Sequence, residues 1–262
     1  MATQDRNLGV AHLLMTLIGV QLKMSFRARK TWALAVVQLL PVIGAFIYVI
    51  FENVDGMTMF TGITEKVTLT FLVPLAAIFF GGPAIVDEME GRTLTYLTLR
   101  PLPKPMILIG KVAAGSIIAC VLTIIPVVAL FGICATQADP AELMGAFGKA
   151  AGAVVIGTIA YTTIFAALGA AFASTLLASI VYFVVFEMVL ATLPILELLS
   201  VRYYMRTFGG FSATDRLGML DSLVLQEPIV FDWWIGGLVL VGLSVAALIA
   251  GASIFANRQY HV

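Results

Sequence analysis

Glu187 stands in the middle of the apolar run VYFVVFEMVLATLP. A carboxyl group at that depth is costly in hydrocarbon, so it must face a bundle interior or a cavity and either find a partner or hold a proton. Tyr161, Thr162 and Thr163 in the preceding apolar segment are candidate partners for a helix-to-helix hydrogen bond, and the alternative is a pathway or proton role. Tyr161 and Tyr182 therefore join Glu187 as intramembrane polar or pathway candidates. A second concentration of chemistry is GGPAIVDEMEGRTLTYLTLRPLPKP, residues 81–105, where three acids, two arginines, a lysine and four prolines interrupt a hydrophobic chain.

Other chemistry is missing. There is no H-E-x-x-H zinc site and no G-x-S-x-G nucleophile elbow, and His12 and His261 lie at opposite ends of the chain. Gly110 and Lys111 hint at a phosphate loop, but Pro105 takes the place of its first glycine and Val112 that of its Ser or Thr. The chain is not expected to hydrolyse ATP itself, and no catalytic residue is assigned. The 11 methionines are scattered, so no metal site is expected either. Cys120 and Cys134 are 14 residues apart on one expected helix, about 21 Å, too far to bridge.

The elements that must position these groups follow from composition. The 262 residues are 61% hydrophobic and 11% charged, with mean hydropathy +1.04, which reads as an all-α integral membrane protein. A net charge of +0 gives no reason to expect nucleic acid as a partner. Six segments reach the roughly 20 apolar residues a spanning helix needs: about 32–51, 67–86, 106–131, 150–173, 176–199 and 233–256. They form one transmembrane domain over 1–262. With the N-terminus in the cytoplasm, ten basic residues flank the inner ends of the spans (Arg6, Lys23, Arg27, Arg29, Lys30, Arg92, Arg100, Lys104, Lys111 and Arg258) against five outside (Lys66, Lys149, Arg202, Arg206 and Arg216). An even number of spans returns the C-terminus to the cytoplasm.

Ahead of the first span, residues 8–30 place Lys23, Arg27 and Lys30 along one helical face, with Leu13, Leu14, Leu17, Ile18 and Leu22 elsewhere. That is a basic amphipathic helix suited to anchoring at the anionic inner leaflet of the bilayer. Small residues crowd spans four and six, which lets helix backbones approach closely in lipid. The outer loop 200–232 is the largest polar piece, and Leu217, Leu220, Leu223 and Val224 predict a short helix resting on the outer surface.

In residues 81–105, Gly81, Gly82 and Pro83 weaken the end of span two. Asp87, Glu88 and Glu90 then fall in the first turns of a second short helix and Arg100 at its end, the order a helix dipole favours. Pro101, Pro103 and Pro105 stop it. A stiff charged helix at the cytoplasmic face, over 87–104, is more than a connector needs and suits docking.

The run DEMEGRTLTYLTLRPLPKPMILIGK resembles the pattern that marks permease subunits of type-2 ATP-binding cassette (ABC) transporters, through Glu88, Glu90, Gly91, Thr93, Leu94, Leu97, Pro101, Gly110 and Lys111, with Arg92 inserted between the usual Gly-Thr neighbours. The stretch YTTIFAALGAAFASTLLASIVYFVVFEMVLATLP resembles that family's fourth-to-fifth span hairpin, including an acid at Glu187. The resemblance implies six spans, an N-terminal interfacial helix and a cytoplasmic coupling helix between spans two and three, with Asp87, Glu88, Glu90, Gly91, Arg92, Thr93 and Leu94 as its ATPase-coupling residues. It implies two copies of a separate ABC ATPase subunit, which carry ATP and Mg2+, and a second permease copy, most simply a homodimer in the cytoplasmic (inner) membrane. Export is the expected direction. The rival readings are an ion-coupled secondary transporter using Glu187, which inverted repeats or paired broken helices would favour, and a membrane scaffold that moves nothing.

Overall fold

The computed structural model describes residues 2–52, 55–82, 104–172, 174–192, 196–211 and 231–257. Residues 87–103 of the charged segment and 212–230 of the loop lie outside the described residues, and with them Asp87, Glu88, Glu90, Gly91, Arg92, Thr93, Leu94 and the surface helix expected around Leu217–Val224. Every regular element described is helical. They are α1 (Ala2–Arg27), α2 (Arg29–Phe51), α3 (Gly56–Phe80), α4 (Lys104–Cys134), α5 (Pro140–Ala171), α6 (Thr175–Val189), α7 (Val201–Gly209) and α8 (Trp233–Asn257). Five of them, α2, α3, α4, α5 and α8, are long and apolar enough to cross a membrane. The chain is an all-α, multi-pass membrane protein.

α2 and α4 run one way and α3, α5 and α8 the other, so the bundle has two ends. At the near end, the short break at Ala28, whose backbone is extended, separates α1 from α2. The Thr31 hydroxyl donates to the Ser25 carbonyl at 2.5 Å and fixes the corner. Leu14 and Leu17 of α1 lie over Gly110 of α4, where a methyl group would touch Leu17 Cδ2 at 2.8 Å. At the far end the α2–α3 and α4–α5 connections meet, the Gly56 N–H donating to the Gln137 carbonyl at 3.1 Å. Both helices that start there are capped by aspartate. Asp55 accepts from the Thr58 N–H and hydroxyl at 2.9 and 2.6 Å, bonds that hold its carboxyl below its usual range. Asp139 accepts from Ala141 N–H at 2.9 Å ahead of Pro140, whose missing N–H is harmless in a first turn. Trp32 at the near end and Trp233 and Trp234 at the far end are exposed, at the two levels where indole rings favour the membrane interface.

α5 is the central helix and packs against α3, α4, α7 and α8. Its buried Val154, Tyr161 and Phe165 join Phe60, Leu69, Val73 and Leu240 in the main core. Between α4 and α5 runs a hydroxyl seam, Ser116 to Thr162 at 2.7 Å and Thr123 to Thr158 at 3.3 Å. Such bonds fasten helices where the apolar surroundings offer no competing water.

Several boundaries differ from the hydropathy windows. α3 begins at Gly56 rather than near 67, and so carries Glu65 inside the bundle. α5 begins at Pro140 rather than near 150. In place of a helix over 176–199, α6 runs for 15 residues and gives way to 3-10 turns at Leu190–Thr192 and Leu196–Leu199. The first part of the expected outer loop is not a loop. Val201–Gly209 is a helix with Val201 and Met205 fully buried, because Val201, Tyr204, Met205 and Phe208 recur on one helical face.

Candidate functional site

Two of the buried charged groups, Glu65 and Glu187, meet α7, whereas Lys111 is buried on α4. Ser200 is its N-cap, and its hydroxyl oxygen accepts from Tyr203 N–H at 3.4 Å. Gly210, at φ 69°, ends the helix in the left-handed region, with Gly210 N–H donating to Thr207 O at 3.2 Å and Phe211 N–H to Arg206 O at 3.0 Å. That is the geometry a glycine just past a helix end permits.

Glu187 meets the N-terminal end of α7. Its carboxylate accepts from the Ser200 hydroxyl at 2.5 Å, from Val201 N–H at 2.9 Å and from Arg202 N–H at 3.3 Å. It is 1% exposed. A carboxylate here satisfies N–H groups that a helix start leaves without partners and sits at the positive end of the dipole. The acid in the hydrophobic run is thus explained by a cap supplied from 13 residues upstream. Tyr161 lies fully buried beside the carboxylate. Thr162 and Thr163 do not reach it, because Thr162 bonds Ser116, and Thr163 donates back to the Ile159 and Ala160 carbonyls at 3.0 and 2.8 Å. Tyr182 belongs to a row of rings that runs Tyr161, Phe165, Tyr182, Phe186, with centroids 5.8, 5.7 and 4.7 Å apart, the Phe165–Tyr182 contact edge-to-face and the other two stacked.

The second half of α7 is held by α3. Arg206 Nη2 lies 2.5 Å from Glu65 Oε1, both side chains about nine-tenths buried. Glu65 lies in a π-helical stretch, Thr64–Leu72. Pro74 supplies a reason for that stretch, since it offers no N–H and its ring crowds the carbonyl four residues back, at Thr70. Widening the helix relieves the clash. Val73 N–H then reaches Thr68 O, the Thr70 hydroxyl covers Glu65 O at 3.0 Å, and Gln38 of α2 donates from Nε2 to Leu72 O at 2.9 Å. Glu187 lies in a π-helical stretch too, Phe183–Val189. Wide turns of this kind recur where function perturbs a helix.

Glycines let α7 sink between α5 and α8. A Cβ on Gly236 of α8 would lie 2.7 Å from Tyr204 O and 3.0 Å from Phe208 N, and one on Gly152 of α5 2.9 Å from the Phe208 ring. The near end of α3 is clamped in the same way. A Cβ on Gly81 would lie 2.6 Å from Thr162 O, and one on Gly169 2.7 Å from Gly82 O. This clamp stands immediately before the charged segment.

Glu65, Arg206, Ser200 and Gln38 are absent from the sequence-derived candidates. The repeat Val201, Tyr204, Met205, Phe208, between a Ser cap and a Gly-Gly stop, was the available signal for the helix that joins three of them. Of the inner-leaflet candidates, Lys23 and Arg27 are exposed on the last turns of α1, and Lys30 is exposed in the first turn of α2, across the Ala28 corner. Among the described residues no cluster of His, Cys, Asp or Glu has the composition of a metal site.

The model of the family described as "ABC-2 family transporter protein" matches residues 15–259. A probable ABC transporter permease protein NosY from Pseudomonas aeruginosa is 31% identical over 140 residues, covering 49% of this chain and 50% of that protein. The protein of the same description from Stutzerimonas stutzeri is 37% identical over 97 residues, 35% of each chain. The alignments thus span about half, or about a third, of the length of these relatives.

Proposed function

Because the chain belongs to the ABC-2 family of transporter proteins, we propose that it is the membrane-spanning permease subunit of an ATP-driven transporter, working with separate ATPase subunits that bind ATP and Mg2+. The observation that carries this reading is the family match over 15–259, nearly the whole chain. The permease descriptions of the two relatives support it. In this reading the near end of the bundle faces the cytoplasm of a cell whose inner membrane holds the chain, with both termini on that side. Lys23, Arg27 and Lys30 meet anionic headgroups there.

Residues 87–104 are the coupling segment, docking on an ATPase through Asp87, Glu88, Glu90, Gly91, Arg92, Thr93 and Leu94. ATP closes the ATPase pair and shifts the segment, and the bundle follows only so far as the nucleotide favours one bundle state over the other. Two permease copies, most simply identical, enclose the path, and export is the direction. The engagement of Glu187 at the start of α7 supports this reading over ion coupling, since its acceptor oxygens are committed to Ser200, Val201 and Arg202.

The test is affinity purification of the full chain from its native membrane. An ABC ATPase is expected in the eluate, and changing Glu88 and Glu90 together to alanine is expected to cut its retention and ATP turnover about tenfold, the factor that follows from losing charge contacts worth about 1.4 kcal/mol. Equal retention and turnover in the variant would remove the coupling assignment.

A further inference from the structure

The two acids that hold α7 do so in different ways. Glu187 binds backbone N–H groups and the N-cap hydroxyl, contacts that cannot be given up without uncapping the helix. Glu65 holds α7 through side-chain charge, paired with Arg206, from a helix with interrupted hydrogen bonding. Elsewhere α7 is fitted to α5 and α8 through Gly152 and Gly236, where its backbone or a ring lies too close for any added carbon. α5, α7 and α8 therefore make one block. α3 shares its core through Leu69 and Val73 and is clamped to α5 at the near end through Gly81 and Gly169, whereas its link to α7 at Glu65 is a charge pair.

We propose that the Glu65–Arg206 ion pair is a latch between α3 and the α5–α7–α8 block, and that Thr64–Leu72 absorbs the movement of α3 when the latch opens. A helix passing from i→i+5 to i→i+4 bonding changes its register by one residue, about 100° of rotation, enough to carry Glu65 away from Arg206. Val73 N–H, now bonded to Thr68 O, is one donor that would exchange acceptors, and Gln38 marks the end of the segment that moves. The inference rests on the coupling reading only in that α3 is the helix leading into residues 87–104. Glu65 and Arg206 are positioning residues and need touch nothing that is transported.

The experiment is hydrogen–deuterium exchange on the full chain in lipid nanodiscs, with no ATPase present. In Glu65→Gln the amides of 64–72 should exchange at least about tenfold faster while those of 203–209 stay as in the parent chain, because a nine-tenths-buried pair has been opened on its mobile side only. Reversing the pair, Glu65→Arg with Arg206→Glu, should restore slow exchange in 64–72. An equal acceleration of 203–209, or no acceleration in 64–72, overturns the latch and leaves the pair as support for α7. Should Glu65→Gln unfold, visible as faster exchange throughout α5, then Arg206→Lys takes its place. It keeps the charge without the forked geometry, and a smaller rise confined to 64–72 is expected, a rise shared by 203–209 being the refuting result. Failure of the coupling reading is scored separately, by the purification above.

Discussion

Glu187→Ala should lower the thermal midpoint of the chain by about 6–12 °C. The substitution removes a carboxylate that is 1% exposed and leaves the Ser200 hydroxyl and the N–H groups of Val201 and Arg202 without their acceptor. Each buried group so stranded costs about 1–3 kcal/mol, and relief from burying an acid returns part of that, for a net loss of about 3 kcal/mol. In a chain of this size each kcal/mol moves the midpoint by about 2–4 °C. Trp233 packs on Phe208 of α7 with ring centroids 6.0 Å apart, so indole fluorescence during heating reads this helix directly. Glu187→Gln keeps one carbonyl oxygen as acceptor and should lose about a third as much. A midpoint for Glu187→Ala within a degree of the parent chain would show that the cap contributes nothing.

Two glycines of α5 should respond to alanine with opposite signs. Gly148 has nothing within 4 Å of an added Cβ. Gly148→Ala therefore gains up to about 1 kcal/mol of helix propensity. At Gly169 the added carbon would lie 2.7 Å from Gly82 O and 3.2 Å from Thr175 Cγ2. The first of these atoms is backbone and cannot swing aside, so α3 and α5 must part. Overpacking of that kind costs about 1–3 kcal/mol and outweighs the propensity gain. Gly169→Leu should be worse, with the near end of α3 levered off α5. The comparison needs only the two midpoints side by side, and a stabilised Gly169→Ala would mean that the near-end clamp is loose.

Hydrophobic length made the long helices legible, because a bilayer imposes one requirement that any 20-residue apolar run meets. The true starts of α3 and α5 were missed because the hydropathy windows ignored the local signal, Asp55 before Gly56 and Asp139 before Pro140, the same chemistry that caps helices in water. α7 was hidden because it is nine residues long and carries Arg202 and Arg206, which count as outer-loop charge when a window is scored for hydropathy. Arg206 becomes admissible inside the bundle only with Glu65, about 140 residues away in sequence, and no local pattern joins them. Glu187 was legible as an anomaly but its partner was not. The partner is a helix start 13 residues later, past 3-10 turns that bring the chain back into the bundle.

The distance between Glu187 and its cap also bears on biosynthesis. When α6 leaves the ribosome, residues 200–202 are still inside the exit tunnel, and at about 5–20 residues per second they emerge roughly a second or two later. Through that interval a 15-residue apolar helix holds a bare carboxyl group, at an insertion cost of about 2.5–3.5 kcal/mol for an acid at mid-helix. α6 is too short to recover this easily from its own apolar length. It enters the bilayer most favourably together with α7, so insertion of the two helices as one unit is the expected route, which glycosylation mapping of α6 with and without α7 would check.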